Sequence, residues 1–286
     1  MAGPTTDSEL AQRNSSPLAD ADVEAEAVLL DEAESTATQI RQTTSVYPAM
    51  TIDDAYRVQA AWLEQKLRRG ERLVGHKIGL TSRAMQRSMN ITTPDSGFLT
   101  ERMVFAPNST LDARRFCDPK LEVELAFVLA TDLAGAALTV DDVLDATDRV
   151  VPAIELIAAR SYRVDPETAR TRTVVDTIAD NAADAGIVCG GSPVGPRDVD
   201  LRWVGALAYR NGSLEETGLA AGVLDHPALG IAWLAKRYHE QGLTLEAGQT
   251  ILAGSFTRPV DIAPGDNFRF DYGPLGSFEL SFEETP

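Results

Sequence analysis

Glu122 and Glu124 stand two residues apart within Pro119-Lys-Leu-Glu-Val-Glu-Leu-Ala-Phe-Val-Leu-Ala130. The stretch reads as a β-strand, in which residues i and i+2 project from one face, so the two carboxylates point the same way. Their neighbours are almost all apolar, which predicts burial on both faces. A buried carboxylate is costly, and two adjacent ones repel each other. A hard divalent cation with oxygen ligands resolves that conflict. A solvated strand edge, with the glutamates paired to Lys120 and an arginine, would resolve it too. Glu155 interrupts a second apolar run, Val150 to Ile157, and is the natural third ligand. Three carboxylates carry enough charge for Mg²⁺ or Mn²⁺ and leave positions for water or substrate.

Lys77 is the next candidate. On a strand, Gly75, Lys77 and Gly79 share a face, and the glycines clear space around the amine. A lysine in such a slot can bind a carboxylate or act as an acid or base with a lowered pKa. It can also be a snorkelling lysine with glycines at bulges. Asp95 lies in Thr92-Thr-Pro-Asp-Ser-Gly97, a predicted loop rich in turn residues. Asp180-Asn181 and Gly254-Ser-Phe-Thr257 place polar residues at element ends, where they suit binding or capping. His76, His226 and His239 are scattered, and none is assigned a ligand role. There is no Gly-x-Gly-x-x-Gly, Walker or Gly-x-Ser-x-Gly motif to support nucleotide binding or serine hydrolysis.

The elements that must position these residues follow from periodicity. Ala27 to Gln42 and Thr51 to Arg69 read as helices. The second is capped by Thr51 and carries an apolar stripe at Ala55, Val58 and Trp62. Arg72 to Leu80 alternates as a strand, and Thr81 to Ser88 reads as a short helix. Thr139 to Thr147 and Val174 to Ala185 read as helices, and Gly186 to Gly190 as a strand. Asn211-Gly212 is a hairpin turn between two strands. His226 to Tyr238 is an amphipathic helix, and Gln249 to Leu280 is β-rich. The expected fold class is α+β with a mixed sheet. Residues 1–25 read as a disordered acidic tail, 26–70 as an N-terminal helical region and 71–286 as the catalytic domain.

Composition narrows the partners. With 26 Lys+Arg against 43 Asp+Glu, the net charge of −17 excludes nucleic acid and anionic membranes as natural partners. No apolar run reaches the ~20 residues needed to span a bilayer, and no secretory signal is visible. Cys117 and Cys189 are too few for a disulfide framework or a cysteine zinc site. A cytoplasmic protein is expected.

Six segments occur in a meaningful order: Gly75-His-Lys-Ile-Gly-Leu-Thr-Ser82, Thr93-Pro-Asp-Ser-Gly97, Glu122-Val-Glu124, Pro152-Ala-Ile-Glu-Leu-Ile157, Asp180-Asn-Ala182 and Gly254-Ser-Phe-Thr257. In these segments the chain resembles the 2-keto-4-pentenoate hydratase branch of the fumarylacetoacetate hydrolase superfamily. The resemblance runs from Leu29 to Phe282 and leaves only the acidic tail uncovered. It implies a mixed β-roll preceded by helices. It implies metal binding by Glu122, Glu124 and Glu155, acid–base roles for Lys77 and Asp95, and a pocket lined by Asn181 and Ser255. The implied activity is a hydro-lyase of aromatic catabolism. It would add water to an unsaturated 2-keto acid, expected to be 2-oxohept-4-ene-1,7-dioate, to give a 4-hydroxy-2-keto acid. The arginine-rich stretch Arg160 to Arg172 is like that of branch members acting on a dicarboxylate. There Arg160 and Arg172 would meet the far carboxylate, unless the segment is a solvated loop. The resemblance also implies a homo-oligomer. A 4-oxalocrotonate-type decarboxylase or isomerase, or a non-catalytic partner subunit, are the alternatives.

Overall fold

Apolar residues at helical spacing in the first quarter of the chain, and alternating ones beyond it, build a helical layer and two sheets. A computed structural model describes residues 17–88 and 91–284. Helices α1 (Asp20–Thr36), α2 (Thr43–Val46) and α3 (Ile52–Arg68) come first. Thr51 caps α3 reciprocally: its hydroxyl accepts the Asp54 N–H, and the Asp54 carboxylate accepts the Thr51 N–H. The stripe Ala55, Val58 and Trp62 packs with Val23, Ala27 and Leu30 of α1. Because α1 begins at Asp20, residues 20–25 are helical rather than part of a disordered tail. Residues 1–16 of that expected tail lie outside the described residues.

The chain continues through β1 (Leu73–Gly79), α4 (Arg83–Ser88), β2 (Asp95–Thr100), β3 (Val104–Phe105), β4 (Ser109–Leu111) and β5 (Lys120–Leu129). Next come α5 (Val140–Asp145), β6 (Thr147–Ile157), α6 (Val174–Ala179), β7 (Asp184–Cys189), β8 (Gly205–Arg210) and β9 (Ser213–Leu219). The last elements are α7 (Ala228–Glu240), β10 (Thr250–Leu252), β11 (Val260–Asp261), β12 (Asn267–Asp271) and β13 (Ser277–Phe282). One sheet runs β2-β1-β10-β5-β6-β7-β3, with β11 also pairing β5; the other runs β4-β13-β12-β8-β9. β1 with β10, β3 with β7 and β4 with β13 are parallel, and the remaining pairs antiparallel, so the sheets are mixed as expected. The β8–β9 hairpin turns at Asn211 and Gly212, both with positive φ (52° and 80°).

The long β5–β6 pair sets the two faces of the first sheet. Val123, Leu125, Phe127 and Ile154 belong to a core that includes Phe268, Phe270, Phe278 and Leu280 of the second sheet. Ala126 and Ala153 belong to the core shared with α1 and α3. Glu122, Glu124 and Ala126 alternate with the first set, so both glutamates project toward the helical layer. Three predicted elements differ from the structure. The helix expected over Ala27 to Gln42 ends at Thr36, where Ala37 takes left-handed backbone. Asp95 is not in a loop but opens β2, opposite Gly79. The helix expected over 174–185 stops at Ala179. Asn181, Ala182 and Ala183 then take left-handed backbone (φ 52°, 50° and 67°), which delivers the chain into β7 at Asp184. Among the described residues no helix is long and apolar enough to cross a membrane.

Candidate metal and acid–base site

Glu122 and Glu124 leave β5 on one face, and Glu155 leaves β6 directly opposite Glu122. One carboxylate oxygen from each lies within 4.8 Å of the others. Glu124 and Glu155 are buried and Glu122 is half-buried. Glu124 Oε2 accepts the Gly254 N–H at 2.8 Å. Glu124 Oε1 and both oxygens of Glu155 accept no hydrogen bond among the described residues. The Tyr272 hydroxyl reaches the carbonyls of Glu124 (3.1 Å) and Ala153 (2.6 Å), pinning the two strands where the acids emerge.

Lys77 and Asp95 come from β1 and β2. Lys77 Nζ is 3.2 Å from Glu155 Oε1, an ion-pair distance without hydrogen-bond alignment. A Cβ at Gly79 would fall 2.2 Å from Asp95 Oδ1 and 3.0 Å from Lys77 Nζ, so this glycine leaves the space where acid and amine meet. Gly75 has a different reason. A Cβ there would fall 1.9 Å from the Thr250 carbonyl, so it admits β10 rather than a ligand. His76 points away from the site, with Nδ1 3.0 Å from the Tyr238 hydroxyl.

Electrostatics ties the group together. Burial, reinforced by Glu155, pushes Glu122 up to about 8. Burial, then Glu155 and Glu122, hold Glu124 well above the usual carboxylate range. Burial raises Asp95 as well, against the pull of Lys77. For Lys77, burial alone would favour the neutral amine, but Glu155, Asp95, Glu122 and Asp184 outweigh it and hold the proton on well above the usual lysine range. In the metal-free chain the surrounding acids therefore keep the proton on Lys77 rather than lowering its pKa.

Asp184 has no counterpart in the sequence reading. It is fully buried, its Oδ1 accepts the Gly186 N–H at 3.0 Å, and its Oδ2 has no partner among the described residues. Burial, then Glu155, holds its carboxyl well above the ordinary range. It is placed by the left-handed turn Asn181–Ala183, a conformation costing about 1–2 kcal/mol per residue that the surroundings must impose. Its only sequence signal was an acid preceding the apolar run of β7.

The remaining expected residues serve the frame. Asn181 Oδ1 accepts the Phe98 N–H at 2.8 Å, and its Nδ2 donates to the Phe98 carbonyl at 3.0 Å, clamping β2. The Ser255 hydroxyl donates to the carbonyls of Val123 (3.3 Å) and Thr257 (3.0 Å), fastening the Gly254–Thr257 loop beside the glutamates. Both side chains are engaged with backbone groups. Arg160, expected at the far carboxylate, is fully buried. Its Nε donates to Asp180, its Nη1 and Nη2 donate to the carbonyls of Asp184 and Asp180, and its guanidinium lies over Trp62. Arg172 is half-buried, with a single ion pair among the described residues, 3.5 Å to Asp180 Oδ2.

The three carboxylates fit a divalent ion. Orphan oxygens of Glu124 and Glu155 converge with Glu122, all are hard ligands, and the repulsion that adds to burial in raising Glu122 and Glu124 is what a cation removes. Mixed β-roll and all-oxygen site together define a metal-dependent enzyme.

No family model matches the chain. It is 54% identical over 253 residues to a 2-oxo-hept-4-ene-1,7-dioate hydratase of Escherichia coli, covering 88% of this chain and 95% of that protein. It is 36% identical over 239 residues to a 2-keto-4-pentenoate hydratase of Paraburkholderia xenovorans, covering 84% and 87% of the two chains. Its structure resembles that of 4-oxalocrotonate decarboxylase from Pseudomonas putida G7, complexed with magnesium and adipate. The TM-score there is 0.88 at 34% identity, covering 94% of this chain and 100% of the other. The chain belongs to the 2-keto-4-pentenoate hydratase branch of the fumarylacetoacetate hydrolase superfamily, as its motif order implies.

Proposed function

We propose that the protein is a divalent-metal-dependent hydro-lyase of aromatic catabolism that hydrates 2-oxohept-4-ene-1,7-dioate. The observation that carries this reading is the convergence of three under-compensated carboxylates beside Lys77 and Asp95, in a chain 54% identical to a hydratase of that substrate. Glu122, Glu124 and Glu155 would hold Mg²⁺ or Mn²⁺. The ion supplies Lewis acidity, lowering the cost of negative charge on the oxygens of the 2-keto acid.

The chain's own groups move the protons. Asp95, its carboxyl raised by burial, is suited to take a proton from C3. Lys77, held as an ammonium, is suited to deliver one at C5. That exchange moves the double bond from C4–C5 into conjugation with the ketone. Water then adds its hydroxyl to C4 and a proton to C3, giving 4-hydroxy-2-oxoheptane-1,7-dioate. The packed faces around Lys77, Asp95 and Glu155 exclude competing solvent.

Decarboxylation is the second reading, favoured by a 36% identical 4-oxalocrotonate decarboxylase of Pseudomonas putida. The assay is purified protein, Mg²⁺ and 2-oxohept-4-ene-1,7-dioate, read by product mass. Gain of one water supports hydration, loss of one CO₂ replaces it with decarboxylation, and no metal-dependent change removes both. The complete acid set argues against a non-catalytic subunit. A cytoplasmic homo-oligomer completes the proposal. Two free cysteines support the location, and Trp203, Leu207, Leu214 and Leu219, exposed on and beside the β8–β9 hairpin, support assembly.

A further inference from the structure

The segment between β6 and α6 contains a small hairpin that the function so far does not use. Val164 and Thr171 form an antiparallel bridge. Arg172 N donates to the Arg163 carbonyl at 2.9 Å, and Asp165 N to the Arg170 carbonyl at 2.9 Å. That register puts Arg163 directly opposite Arg172, so their side chains leave the same face. Like charges at directly opposed positions destabilise a strand pair. Here the pair is also largely withdrawn from water, with side-chain exposures of 24% for Arg163 and 9% for Arg172.

Their counter-charges are incomplete. Asp118 takes one edge of Arg163, through Nε at 2.7 Å. Arg172 has Asp180 Oδ2 at 3.5 Å, an oxygen that also accepts the Ser161 N–H, while the other oxygen of Asp180 serves Arg160. Burial, then Arg163, pushes the Arg172 guanidinium down to about 10, which is the signature of a cation short of an anion. The two arginines also border the acid cluster at two points. Arg163 favours the charged form of Glu122, and Arg172 that of Asp95.

We propose that Arg163 and Arg172 form a paired guanidinium site for the second carboxylate of a dicarboxylic 2-keto acid, with Asp118 and Asp180 as positioning residues. A carboxylate between them satisfies both forks and removes their mutual repulsion. This assigns chain-end recognition to Arg163 and Arg172 and leaves Arg160 as part of the frame. It rests on the proposed function, because it presumes that the keto-acid end lies at Glu122, Glu124 and Glu155.

The test is calorimetric binding of two saturated, unreactive probes to the full chain with Mg²⁺: 2-oxoheptanedioate and 2-oxoheptanoate, which differ only in the distal carboxylate. The native protein is expected to prefer the diacid by about 100-fold, and Arg172→Gln and Arg163→Gln to cut that preference about tenfold each. Arg172→Lys, which keeps the charge but not the fork, retains part of the preference and covers a Gln variant that does not fold. Equal affinity of the native protein for both probes, or an unchanged preference in both variants, overturns the site. If the preference is present but no hydration is found, the functional reading falls and the anion pair stands.

Discussion

Two clusters of buried charge meet at Asp184, one at its carbonyl and one at its carboxyl, and they are built to opposite rules. In the first, Arg160 donates to Asp180 and to two carbonyls and lies over Trp62, whose Nε1 donates to Asp31 at 2.9 Å. Lys66 flanks the same ring, 5.1 Å from its centroid, and pairs with Glu34. In the second, Glu122, Glu124, Glu155, Asp95 and Asp184 surround one ammonium, and several of their oxygens have no partner among the described residues. The first cluster is complete without a ligand. The second places five acids against one lysine, an imbalance that is met by proton uptake or by an added cation. Unfilled valence rather than burial marks the functional region.

The contrast can be broken by substitution. The largest effect belongs to Glu124→Gln, which should lower metal-dependent turnover by about a thousandfold or more, since transition-state charge loses several kcal/mol of stabilisation; steady-state rates with and without chelator read this directly. In the metal-free protein the same substitution should raise stability, because it replaces a buried carboxyl, which must bind a proton or repel Glu155 and Glu122, with a neutral amide. Arg160→Met should do the reverse, costing about 3–5 kcal/mol in denaturant unfolding by leaving buried Asp180 with only the 3.5 Å ion pair to Arg172 among the described residues. If the two substitutions shift stability in the same direction, the clusters do not differ as described.

Metal and pH sharpen the comparison further. Mg²⁺ at 100 times its Kd should stabilise the native protein by about 2.7 kcal/mol and leave the Arg160 cluster's contribution untouched. Glu122 sits at about 8 in the folded metal-free chain against 4.5 ordinarily. The folded state therefore keeps a proton that the unfolded chain releases, and stability present below pH 4.5 is lost as pH rises through 8. The stabilisation by magnesium should accordingly grow from pH 5 to pH 8, as thermal melts at the two pH values would show. The smallest effect is Tyr272→Phe, about 1 kcal/mol for a lost hydroxyl contact to the Glu124 and Ala153 carbonyls. Its unfolding curve should shift with little change in magnesium affinity.

What was legible in the sequence was what strand periodicity controls. The Glu122–Glu124 spacing predicted a shared face, and Glu155 broke an apolar run in the partner strand; register then made it face Glu122. The Asn211-Gly212 hairpin and the Thr51 cap followed from local chemistry alone. What was not legible depended on long-range partners. Asp184 is aimed inward by a turn that no local preference favours, since three consecutive non-glycine residues adopt positive φ. Gly75 looked like room for a ligand, but the strand it admits lies about 175 residues downstream, at Thr250. Asn181, Ser255 and Arg160 are polar residues whose partners are backbone atoms of distant strands or buried acids, and sequence spacing cannot separate such clamps from pocket residues.

The central claim is that Glu122, Glu124 and Glu155 are an under-compensated set awaiting one divalent ion. Calorimetric titration of chelator-treated protein with Mg²⁺ tests it most directly, with Glu155→Gln as the partner measurement. One ion per native chain is expected, with binding at least about tenfold weaker in Glu155→Gln, which removes a full charge from the set. Native protein that takes up no ion, or a Glu155→Gln variant that binds it as tightly as the native chain, would contradict it.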